Sequence, residues 1–142
     1  MERINFSAEG STPFEQLLGH NKNVLKEWNN LEDALFNSNT FSRELKEEIR
    51  RTLAFNNGCT YCMAKGKPSN SMKAPKELLA IKLADIFSKN VEVDDELFAQ
   101  LKSLFSDKEI SELCAFICFI TACQKYGVLL NLQPNCSLQD YI

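Results

Sequence analysis

Cys59-Thr60-Tyr61-Cys62 is the one short motif of this chain whose residue types and spacing carry chemistry. It follows directly on Asn57-Gly58, two residues that tolerate the left-handed conformation and so end a helix well. The cysteines therefore stand at the start of the next helix, where amide N–H groups and the helix dipole stabilise a thiolate and make it nucleophilic near neutral pH. Residues three apart on a helix face the same way, so the pair can close a disulfide once one sulfur has been oxidised. On this argument alone Cys59 is the readier thiolate, and Lys65 and Lys67 add positive potential nearby.

Other uses of a CxxC can be weighed against its neighbours. A c-type haem site needs histidine directly after the second cysteine, where Met63 stands. A thioredoxin-like site follows a strand, whereas this motif follows a helix. A zinc site needs two further ligands, and Cys114 with Cys118 is the available pair, although in so apolar a stretch two small buried hydrophobes are the plainer reading. A CxxC without chemistry also stays open. Six cysteines accompany a single histidine, His20, which excludes two-Cys, two-His zinc sites and His-rich centres by counting. Cys123 reads as a core residue and Cys136 as a tail thiol.

Composition narrows the setting of this chemistry. A chain of 142 residues suits one domain. With a net charge of −3 and no basic cluster, neither nucleic acid nor an anionic membrane surface is expected as a partner. Met1-Glu2-Arg3-Ile4-Asn5 has no apolar stretch behind it, so no signal peptide is read and the cytoplasm is the expected compartment, where thiols are kept reduced. The longest apolar run, Leu113 to Cys123, is eleven residues, too short to span a bilayer and suited to a buried helix.

The elements that must position the motif are helices. Leucine outnumbers valine eighteen to four, and five glycines and four prolines punctuate the chain, which predicts an all-α bundle of about six to seven helices. A polar arm (1–12) precedes a helical domain (13–132) and a tail (133–142). Pro13 opens a short helix to about Leu18, and a second follows over 21–36 with the stripe Val24, Leu25, Trp28, Leu31 and Leu35. Ser42 caps a third, to about Asn56, that buries Leu45, Ile49 and Leu53. Glu47 lies off that buried face beside Arg50 and Arg51, by itself a salt-bridged polar residue. Cys59 to about Lys65 restarts as a helix. Pro75 opens another with Leu79, Leu83, Ile86 and Phe87 on one face, and Asp94 caps a shorter one with Leu97, Leu101 and Leu104. Ser106 and Glu109 form a capping box for the last helix, to near Gly127. Trp28 and the ten phenylalanines read as core or subunit-interface residues.

The stretch from Ser42-Arg43-Glu44-Leu45-Lys46-Glu47 to Asn57-Gly58-Cys59-Thr60-Tyr61-Cys62-Met63-Ala64 resembles the core of the carboxymuconolactone decarboxylase family, in its AhpD-like alkylhydroperoxidase branch. The segments around His20 to Trp28 and Phe105 to Ile110 resemble its flanking helices, so the likeness runs from about residue 13 to about 132. The resemblance implies an all-α fold assembled as a homo-oligomer, trimer or hexamer. It also implies thiol peroxidase or disulfide reductase chemistry without a cofactor, with a hydroperoxide or disulfide as substrate and a dithiol reductant such as a lipoyl-type carrier. Carried over residue by residue, Cys62 attacks the peroxide and becomes a sulfenic acid, Cys59 donates a proton and then closes the disulfide, and Glu47 serves in proton relay. The order of the two cysteines is the reverse of the dipole argument. The family relay also has a histidine four residues after the second cysteine, where this chain has Gly66. His20 would have to reach the site through space, whereas it sits at the start of a helix. Three functions are thereby set out: a thiol-dependent peroxidase, a thiol-disulfide reductase with weak or no peroxidase activity, and a helical oligomer without catalysis. The lactone decarboxylase activity is the remotest, because the CxxC points to the other branch.

Overall fold

All but one of the helices start where a side chain can take up free amides, the exception opening on Pro75 after Ala74. Thr12 Oγ1 accepts from Glu15 N while the Glu15 carboxylate accepts from Thr12 N, Asn21 Oδ1 accepts from Asn23 N and Val24 N, and Ser42 Oγ accepts from Leu45 N. Asp94 and Ser106 repeat the device. In the computed structural model, which describes residues 1–134, these caps open α1 (Pro13–Leu18), α2 (Lys22–Asn37), α3 (Arg43–Asn57), α6 (Asp95–Leu104) and α7 (Asp107–Leu129); α4 is Thr60–Met63 and α5 is Pro75–Ser88. No strand occurs among the described residues, and the all-α expectation holds. Cys136 and nearly all of the 133–142 tail lie outside the described residues.

α3 is the central element, packed against both α5 and α7. Its Leu45, Ile49 and Leu53 are buried as the sequence predicts, facing Leu83 of α5 and Leu113, Phe116, Ile117 and Ile120 of α7 in one apolar core. Each such leucine or isoleucine contributes roughly 1.5–3 kcal/mol by leaving water. α7 is twice as long as the apolar run in it, and by length and composition alone it could cross a bilayer, but its apolar face is spent on this core.

The stripe read on α2 departs from expectation. Leu35 is buried, but Val24 and Leu31 are 44% and 50% exposed. α2 lies at the edge of the bundle, mainly against α1 and α7, and turns chiefly Trp28 inward, onto Phe14, Phe119 and Tyr126. Phe87 and Leu104 are likewise more exposed than their helix faces suggest. The N-terminal arm is docked: Arg3 donates from its backbone N to Leu130 O (2.9 Å) and from Nη1 to Leu129 O (2.7 Å), and Ser7 N donates to Gln16 O.

Candidate active site

Gly58 ends α3 in the left-handed region (φ 69°) and turns the chain into Cys59, the N-cap of α4. The two motif cysteines are joined as a disulfide. Cys59 is 1% exposed, and α7 passes close over its sulfur at Gly127, where an added Cβ would sit 3.4 Å from Cys59 Sγ. α4 is a single turn, so the macrodipole expected from sequence is small; what the Cys59 sulfur receives is one amide, Cys62 N at 3.2 Å. Cys62 is half-buried and lines a cavity of about 400 Å³ together with Phe14, Phe36, Tyr61 and Ile120. That volume suits a small organic molecule.

Glu47 lines the same cavity, so the structure brings all three sequence-predicted residues together. Its carboxylate takes two hydrogen bonds from Arg50, Nε at 2.9 Å and Nη2 at 2.7 Å, and a third from Arg51 Nε at 3.1 Å. Arg50 Nη1 in turn donates to Cys62 O at 3.2 Å, tying the carboxylate to the motif's backbone. Burial pushes the Glu47 carboxyl upward, but the bonds and charges of Arg50 and Arg51 outweigh it and hold the group below its ordinary value. A carboxyl lowered in the folded chain adds stability above its unfolded pKa and loses it as pH falls through the folded value. Acidification below about pH 4.5 is therefore expected to lower the melting temperature of the wild type more steeply than that of Glu47→Gln. Calorimetry from pH 6 to pH 3 reads the difference, because the other lowered carboxyls are common to both proteins.

Two further helices and the turn after α4 add polar groups to the wall. Glu32 comes from α2, Lys65 from the turn after α4, and Cys123 and Gln124 from α7. Gln124 is buried and bridges α7 to α3, accepting from Asn57 Nδ2 at 2.9 Å and donating to Arg50 O at 3.1 Å. Burial pushes the Cys123 thiol up to about 11, against the opposing hydrogen bond from Trp28 Nε1 at 3.3 Å. Cys123, read from sequence as a core residue, thus faces the cavity as a protonated thiol. Glu32 and Gln124 had no local signal, since nothing in their own segments marks a wall assembled from across the fold.

His20 is not in the cavity wall; its Nε2 is 2.6 Å from Asn5 O on the arm. Gly66 has φ +118°, a conformation side chains rarely adopt, and an added Cβ would touch the Arg51 guanidinium at 3.4 Å. Arg51 also donates to Lys67 O, and Glu48 accepts from Ser69 N and Oγ, which fastens the loop after the motif. Of the two lysines read as local charge, only Lys65 lines the cavity. Cys114 is half-buried, but Cys118 is exposed rather than a buried hydrophobe; neither lines the cavity. Among the described residues no three His, Cys, Asp or Glu side chains converge as a metal-holding group.

Neither a protein-family model nor a curated protein matches the sequence. Solved structures do match in shape. A peroxidase-related protein from a Silicibacter species superposes with TM-score 0.76 at 15% identity, over 91% of this chain and 79% of that one. An Agrobacterium tumefaciens protein of unknown function, named as a candidate antioxidant defence protein AhpD, gives TM-score 0.75 at 18% identity, over 96% of this chain and 100% of that one. The debrominase Bmp8, in complex with a tribromopyrrole, gives 0.77 at 15%, over 90% and 79%. Identities this low speak for architecture alone. The seven helices of the described residues are those of the AhpD-like helical fold.

Proposed function

We propose that the chain is a thiol-dependent oxidoreductase that reduces hydroperoxides with Cys62 as the reacting sulfur and Cys59 as the resolving one. One observation carries this reading: the two sulfurs of a closed disulfide differ in access, Cys62 facing the cavity and Cys59 buried beneath it. A substrate in the cavity meets Cys62. When the disulfide is reopened by an incoming thiolate at Cys62, Cys59 leaves as a thiolate already facing the Cys62 amide. The dipole argument and the family roles are then compatible, since the stabilised sulfur is the leaving one and the accessible sulfur is the attacking one. The structural neighbours, one a peroxidase-related protein and one a candidate antioxidant defence protein, support the same reading. A dithiol such as a lipoyl-type carrier as reductant, residence in the cytoplasm, and assembly as a trimer or hexamer belong to it too. The exposed Val24 and Leu31 on α2 offer apolar surface for such assembly.

A second reading, thiol-disulfide exchange without peroxidase turnover, is favoured by Glu47, whose double arginine pairing makes it a weak base. One experiment separates them. The reduced protein is mixed with one equivalent of an organic hydroperoxide, and peptide mass spectrometry follows closure of the Cys59–Cys62 disulfide. Closure within seconds is the expected result. Closure only with a small disulfide in place of the hydroperoxide selects the second reading, and closure with neither overturns both.

A further inference from the structure

Four helices or their ends bring charge to the cavity, and most of it is spoken for. Glu15 of α1 accepts from Ser11, Thr12 and Asn29, and Glu47 and Arg50 of α3 hold each other. Among the described residues Lys65 and Glu32 are the charged wall groups with neither a hydrogen bond nor an ion pair. Lys65 follows Cys62 by three residues, its backbone N donates to Cys62 O at 3.2 Å, and its Nζ stands 5.3 Å from the centre of the Tyr61 ring. The Lys65 residue as a whole is exposed, and its ammonium, set in the cavity wall without a paired carboxylate, gains from negative charge that develops beside it.

We propose that Lys65 is the charge partner of Cys62, holding its thiolate in the reduced protein and giving a proton to the group that leaves. This rests on the reading of Cys62 as the reacting sulfur. The Cys62 thiol gives its proton to solvent, the Lys65 ammonium holds the thiolate, and the thiolate attacks the terminal oxygen of a hydroperoxide. The O–O bond breaks, Cys62 becomes a sulfenic acid, and the departing alkoxide takes a proton from Lys65, which solvent restores, to leave as an alcohol. The Cys59 sulfur then displaces hydroxide from Cys62, the S–S bond forms, and the Cys59 proton leaves with the hydroxide as water. Two thiols are oxidised and one hydroperoxide is reduced.

The surroundings suit the role. Burial of the ammonium and the Arg50 guanidinium lower the Lys65 pKa, against Glu32, Glu47 and the Cys123 thiol, which raise it. A lysine lowered in this way gives up its proton more readily than a free one. Tyr61, the remaining titratable neighbour, is pushed up by burial and stays protonated.

The test uses the full chain, reduced, with iodoacetamide as the probe and the alkylation rate of Cys62 read by peptide mass spectrometry from pH 5 to pH 10. Lys65→Met is expected to move the midpoint of the Cys62 profile up by about one pH unit, and so to slow alkylation at pH 7 about tenfold. Lys65→Arg should stay within about 0.3 unit of wild type and Lys65→Glu should move further up than Met, while Lys67→Met leaves the midpoint unchanged. Superimposed profiles for wild type, Lys65→Met and Lys65→Glu, with circular dichroism showing all three folded, overturn the proposal. Alkylation needs no hydroperoxide, so this result stands apart from whether the protein turns peroxide over.

Discussion

Cys62→Ser is expected to lose hydroperoxide consumption by roughly a thousandfold or more, whereas Cys59→Ser keeps the first oxidation and stops there. The asymmetry follows from access. Cys59 is 1% exposed, roofed by α7 at Gly127, and an oxidant occupying the cavity reaches only Cys62. With serine at 62 nothing reactive faces the substrate, because Cys123, the other sulfur in the wall, is held as a thiol by burial. With serine at 59, Cys62 still forms a sulfenic acid but has no sulfur to condense with, so it persists until trapped. Single-turnover mixing with a dimedone trap and mass spectrometry reads both proteins: one adduct per chain at Cys62 in Cys59→Ser, none in Cys62→Ser. An adduct at Cys59 in the latter would reverse the assignment.

Lys46→Met is expected to destabilise the fold by about 3 kcal/mol, which for a chain of this size lowers the melting temperature by roughly 10 °C. Lys46 is buried near the start of α3, where a cation opposes the dipole of its own helix. Its ammonium is placed instead at the end of α2, donating to Leu35 O at 2.9 Å, Phe36 O at 3.2 Å and Ser38 O at 2.6 Å. α2 has no basic residue in its own last turn, so this one side chain both serves three terminal carbonyls and offsets the dipole. Methionine fills the space but leaves those acceptors dry. Urea denaturation of Lys46→Met beside Lys26→Met, a lysine exposed on α2, measures it; the latter should lie within about 0.5 kcal/mol of wild type.

What the sequence makes legible is what neighbours in the chain decide. Ser42, Asp94 and Ser106 mark helix starts because their side chains cap within three residues, Pro13 and Pro75 because a fixed φ and a missing N–H suit the first turn, and each structural start lies within one residue of that reading. Gly58 is equally local. The stripe on α2 misleads because Val24 and Leu31 have the right spacing but no third helix to cover them, and periodicity cannot report where in a bundle a helix lies. At the site, the pairing of Glu47 with Arg50 and Arg51 is readable from spacings of three and four, but its place in the cavity came only with the family resemblance. Glu32, Cys123 and Gln124 were beyond reading. They meet Cys62 across separations of thirty residues or more, set by how α2 and α7 cross over α3.

The contact between Gly66 and Arg51 has a consequence for how this site can change over generations. A lone mutation placing histidine at 66 would meet an adverse backbone conformation, while its Cβ would rest in ordinary contact, 3.4 Å, with the Arg51 guanidinium. A lone mutation shrinking Arg51 would surrender its bond to Glu47 and its hold on the loop at Lys67. Arg51 therefore need not shrink to admit an imidazole after the CxxC; the obstacle is the backbone at 66, whose left-handed turn any side chain would strain.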